Sequence, residues 1–85
     1  MAATLRIEVA EQPVASVVHR FRNFGEDVFR ELGETYSIDL DEIDQANTSF
    51  TLAKVPARKV GQVTEQLMRA ARRHGFGSSL RVTRI

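Results

Sequence analysis

Residues 34–55, ETYSIDLDEIDQANTSFTLAKV, hold two alternating stretches around a polar turn, and their reading decides the fold. In ETYSIDLD, Tyr36, Ile38 and Leu40 fall on one side and Ser37, Asp39 and Asp41 on the other. A period of two marks a strand with one face buried. DQANT (44–48) has the composition of a turn, and SFTLAKV (49–55) resumes the alternation with Phe50 and Leu52 inward. The stretch predicts a β-hairpin.

Upstream, TLRIEVA (4–10) alternates with Leu5, Ile7 and Val9 on one face and Thr4, Arg6 and Glu8 on the other. Pro13 suits the first turn of a helix, where its missing N–H costs nothing. Val14, Val17, Val18, Phe21, Val28 and Leu32 then recur at helical spacing, and Gly33 suits the position just past the last turn. Gly25, inside this helix, either weakens its middle or admits a close neighbour. Downstream, Pro56 opens a second helix with the apolar stripe Ala57, Val60, Thr64, Leu67 and Ala71, flanked by Val63 and Met68. Gly75 ends it. SLRVTRI (79–85) is a last strand with Leu80 and Val82 inward and Ile85 out of phase.

The order βαββαβ joins two strand–helix–strand crossovers through a hairpin. Right-handed crossovers are met most simply by a four-stranded antiparallel sheet of order 4-1-3-2, with both helices on one face. This α+β sandwich resembles the ferredoxin-like superfold in topology, a scaffold that hosts many unrelated functions. At 85 residues the chain suits one domain, 1–85, folding on one core.

The absence of cysteine excludes disulfides and thiolate metal sites and fits a cytoplasmic location. No apolar run approaches the roughly 18 residues of a membrane span, so no membrane partner is expected. The opening MAATLRIEVA lacks the basic and apolar segments of a signal peptide.

Charge is divided unevenly. Residues 1–53 set four arginines against ten acids, whereas residues 54–85 set eight Lys or Arg against Glu65 alone. The topology sends these excesses to opposite sides. Asp39, Asp41 and Asp44 mark an acidic edge at the second strand. Arg58, Lys59, Arg69, Arg72, Arg73, Arg81 and Arg84 mark a basic face on the second helix and last strand. Such asymmetry points to a charged partner. Part of it has local explanations: cations in the last turn of a helix complement its dipole, and charged edge strands discourage unwanted pairing.

Signatures of chemistry are sparse. IDLDEID lacks the ligand spacing and glycine of a calcium loop. His19 and His74 have neither a second histidine at helical spacing nor a cysteine, so no metal or cofactor is expected. Acylphosphatases share the topology but hold phosphate with a glycine-containing loop and an arginine after the first strand. Here that connection is AEQPVAS, with neither. RNA-recognition folds stack bases on aromatic residues of the open sheet face, where this chain carries Thr4, Arg6, Glu8, Ser49, Thr51 and Ala53.

The expected function is therefore a non-enzymatic interaction module whose basic side docks an acidic protein surface, with another copy of the chain as one such partner. A nucleic-acid-binding domain using the basic helix through phosphate contacts is the alternative. A regulatory domain for a small ligand comes third. Self-association, where it occurs, is expected to run head to tail, the acidic edge of one copy against the basic edge of the next.

Overall fold

The computed structural model describes residues 1–45 and 47–85. Its elements are β1 (Ala2–Val9), α1 (Ala15–Leu32), β2 (Ser37–Asp39), β3 (Ser49–Pro56), a 3₁₀ turn (Ala57–Lys59), α2 (Val60–Arg73) and β4 (Leu80–Arg84). The sheet has the order β2-β3-β1-β4 with every pairing antiparallel, the ferredoxin-like layout. The turn at 44–48 includes Ala46, which lies outside the described residues.

β1 is the central strand on which the alternation is clearest. Ala3, Leu5, Ile7 and Val9 are buried toward the helices, whereas Thr4, Arg6 and Glu8 lie on the open face. Opposite them on β3, Phe50 faces Ile7 and Leu52 faces Leu5. The register then shifts between Ala3 and Leu5, since Ala3 pairs with Val55. The extra residue is taken up beside Lys54, which has φ 65°, in the left-handed region that ordinary side chains avoid. The bulge re-phases β3, so that Leu52 and Val55, three apart, are both buried.

α1 begins at Ala15 rather than at Pro13. Val14 sits outside the stripe as an exposed N-cap with no capping side chain. Phe24 and Gly25 join Val17, Val18, Phe21, Val28 and Leu32 on the buried face. Gly25 admits side chains: a Cβ there would lie 3.0 Å from Leu40 Cδ2 and 3.3 Å from Ile43 Cδ1. Gly33 ends α1 with ordinary right-handed geometry (φ −68°) instead of the left-handed turn expected of it.

β2 is shorter than its alternation predicts. The Asp39 carboxylate accepts the backbone N–H of Asp41 at 3.0 Å, bending the chain out of the sheet, so Asp41 sits in a turn and not on a shared strand face. Tyr36 and Ile43 are buried on either side of this short strand.

Pro56 ends β3, and one 3₁₀ turn intervenes before α2. Val63, Leu67, Ala70 and Ala71 form its buried face; Val60, Thr64 and Met68 are half-buried on a flank, and Ala57 is exposed. The helix closes in a Schellman turn. Gly75, at φ +80°, donates its N–H to Arg72 O, and Phe76 donates to Ala71 O at 2.7 Å. Phe76 is thereby driven into the core, where its ring centroid lies 5.9 Å from Phe21 and 6.2 Å from Phe24. Phe50 completes the cluster, 5.6 Å from Phe21. Leu80 and Val82 pack against this core from β4, as their alternation predicts, and Ile85 is exposed.

The two left-handed positions carry opposite expectations. Gly75→Ala forces a Cβ into a conformation costing roughly 1–2 kcal/mol, and that Cβ would lie 2.9 Å from Arg20 Nη1. Lys54→Gly should leave stability unchanged or raise it, because it relieves the same strain. Urea denaturation of the two variants beside the wild type measures both signs.

Candidate functional site

The seven expected cations do not share one surface. Arg58 and Lys59 occupy the 3₁₀ turn at the start of α2, and Arg69 and Arg72 lie on its solvent side. These four are exposed and form no ion pair with the described residues. Arg73 points elsewhere. Its guanidinium meets Glu31 Oε1 at 2.8 Å and Asp27 Oδ2 at 3.8 Å, tying the end of α2 to α1.

β4 divides its arginines between the two faces of the sheet. Arg81 lies on the open face and pairs in register with Glu8; Arg84 takes the helix-side parity and pairs with Leu5. The basic surface of α2 is thus separated from Arg81 by the thickness of the sheet.

Of the acidic trio, Asp39 stands on β2 opposite Thr51, Asp41 follows in the turn, and Asp44 forms an isolated bridge with Asn47. Glu42 reaches back to the open face, where its carboxylate accepts the Thr51 hydroxyl at 3.3 Å.

Two polar networks join elements distant in sequence. At one, Arg20 donates to Glu11 at 3.0 Å and lies over the Phe76 ring at 4.5 Å, while the Ser79 hydroxyl donates to the other oxygen of Glu11 at 2.9 Å. At the other, His74 Nε2 and Asp27 Oδ2 are 2.8 Å apart, and Arg30 also bonds Asp27 at 3.0 Å. The hydrogen bond from His74 is the main reason the Asp27 carboxyl titrates below its ordinary 3.8; the charges of His74, Arg30 and Arg73 push the same way against partial burial. Sequence separation hid both networks: Arg73 and Glu31 are 42 positions apart and Ser79 and Glu11 are 68.

The chemistry available here is modest. An Asp–His pair orients an imidazole, but the Ser49, Thr51 and Ser79 hydroxyls are committed to Asn47, Glu42 and Glu11. Among the described residues no group of three or more His, Asp or Glu is placed to hold a metal ion. The grooves beside α2, lined by Glu31, Gln66, Arg69 and Arg73 and by Thr64, Glu65, Met68, Arg69 and Arg72, open broadly to solvent. No helix among the described residues is long and apolar enough to cross a membrane. No protein-family model matches this chain, and comparison with curated proteins and with solved structures finds no match.

The depressed Asp27 pKa fixes a sign. Its folded value lies below 3.8, so its contribution to stability is present above that pH and is lost as pH falls through the folded value. Asp27→Asn should therefore be less stable than the wild type near neutrality, with the difference closing in acid. Thermal melts from neutral pH to below 3.8 check this.

Proposed function

We propose that this chain is a non-enzymatic interaction module whose α2 surface, centred on Arg58, Lys59, Arg69 and Arg72, docks an acidic protein surface. The observation that carries this reading is the pair Arg58 and Lys59. They stand in the turn that enters α2, with no acid in its first turn. A cation there meets the positive end of the helix dipole and is disfavoured by roughly 0.3–1 kcal/mol. The local explanation that covers Arg72 and Arg73 works in reverse here. Together with Arg69 and Arg72, they give α2 a run of uncompensated positive charge broken by Glu65. The non-enzymatic reading is supported by the committed hydroxyls and the solvent-open grooves.

Nucleic acid would use the same cations through phosphates. Among the described residues the open sheet face offers it no aromatic platform, since Phe50 and Tyr36 are turned into the core. A small regulatory ligand would need a more enclosed site than the grooves beside α2 provide.

Poly-glutamate and a mixed-sequence oligonucleotide of equal charge separate the readings. Poly-glutamate should bind, with affinity falling as salt rises. Arg69→Glu with Arg72→Glu should weaken it by roughly tenfold or more, about 1.4 kcal/mol. Arg73 is left untouched because its loss would disturb the α1–α2 contact. Strong preference for the oligonucleotide would favour the nucleic-acid reading, and equal binding by the double variant would remove α2 as the docking surface.

A further inference from the structure

β4 is an edge strand whose outer side pairs with no other strand among the described residues. Its inner side is fixed by Ala10 N–H on Ser79 O and Ile85 N–H on Thr4 O. Antiparallel alternation then assigns Arg81 and Thr83 to β1 and turns the N–H and C=O groups of Val82 and Arg84 outward. Leu80 also turns outward, with its N–H satisfied by Phe76 O. Beside this row lies apolar surface. Leu80 and Val82 are half-buried, and so are Val60, Thr64 and Met68 on the flank of α2 facing away from α1.

The opposite edge is a poorer template. β2 spans three residues, of which Ser37 and Asp39 lie in register with Ala53 and Thr51. By the same alternation Ile38 alone points its backbone outward. Head-to-tail pairing of β4 on β2 would therefore gain little main-chain bonding.

We infer that β4 pairs antiparallel with β4 of a second copy, about a twofold axis at Val82, extending the sheet across both molecules. The register follows from strand length and charge. Centring on Arg81 or Arg84 sets an arginine directly against its twin. Centring on Val82 uses the whole strand, Leu80–Arg84, and sets Val82 against Val82, Arg81 against Thr83, and Arg84 against Leu80. Like charges no longer face each other, which is the arrangement that destabilises cross-strand pairs. Arg81 keeps Glu8 as its in-register neighbour on β1, and the stem of Arg84 covers an apolar side chain. Val82 exchanges its N–H and C=O with its twin, and each Arg84 N–H reaches the Leu80 carbonyl opposite. Both α2 helices then stand side by side on the same face.

This pairing does not rest on the acidic-partner reading. It brings two basic surfaces together, so raising salt should leave it unchanged or tighten it, opposite to docking on an acidic surface.

The test is mass and register. Light scattering should show the 9.6 kDa chain doubling in mass as its concentration rises. The chain has no cysteine, so single cysteines report pairing cleanly. Val82→Cys should crosslink on mild oxidation, whereas Thr83→Cys, set against Arg81 and too far from its own twin for a disulfide, should not. Val82→Pro removes an outward N–H and should give monomers. A chain monomeric at every concentration would falsify the pairing. Thr83→Cys crosslinking as fast as Val82→Cys, Ile38→Cys crosslinking to Val82→Cys, or dissociation by salt would each overturn it as well. Should the proline variant fail to fold, the cysteine pair alone decides.

Discussion

The structure depends on how α2 ends. A helix that closes through a left-handed glycine must fold the next residue back under its own last turn, and here that residue is Phe76. Its ring has no exposed surface and meets rings from α1, while Phe50 of β3 meets the same two rings. Burying a phenylalanine contributes roughly 1.5–3 kcal/mol, and tilted aromatic neighbours add about 0.5–1.5 kcal/mol. Arg20 covers the outer side of that ring and bonds Glu11, which also accepts Ser79. One turn thus fixes the exit of β1, the packing of α1 and the entry of β4.

The same turn sorts the charges. By ending α2 over α1, it places Arg73 and His74 against Glu31 and Asp27. The exposed Arg73–Glu31 pair contributes about 0–1 kcal/mol, and the His74–Asp27 pair beside it is partly buried, so these pairs orient the helices while the aromatic cluster holds them. They also offset Arg73, whose side chain stays about half exposed but already faces Glu31. What remains is concentrated at the start and along the solvent side of α2; no ion pair among the described residues accounts for it, and the helix dipole accounts for Arg72 alone.

The topology was legible because each element carries its own period, two for the strands and near four for the helices, and the handedness of the crossovers does the rest. Features that arise between elements were not. Phe24 fits the α1 stripe, three after Phe21 and four before Val28, so a stricter count would have found it. Phe76 lies between two glycines, in GFGSS (75–79), outside both the helical and the strand period; the signal available was an apolar residue just after a C′ glycine. The bulge at Lys54 has no sequence mark, since a lysine is not what a left-handed position ordinarily takes. The shortening of β2 depends on one carboxylate capturing one N–H. The basic face was read from a charge count, which records neither the acids that α1 returns to Arg73 nor the opposite parity of Arg81 and Arg84.

The two proposed surfaces draw on different physics, and that couples them. Pairing through β4 uses main-chain hydrogen bonds and half-buried apolar side chains, and it works against the repulsion of two basic helices. Docking through α2 uses that positive charge as its attraction. An acidic partner lying across both α2 helices of the pair would neutralise the repulsion that opposes β4 pairing. The pair in turn presents twice the positive surface at fixed spacing, so the second contact becomes intramolecular. Linkage then requires that docking strengthen pairing by the factor by which pairing strengthens docking. A surface of individually weak, salt-screened contacts gains affinity in this way without adding a residue.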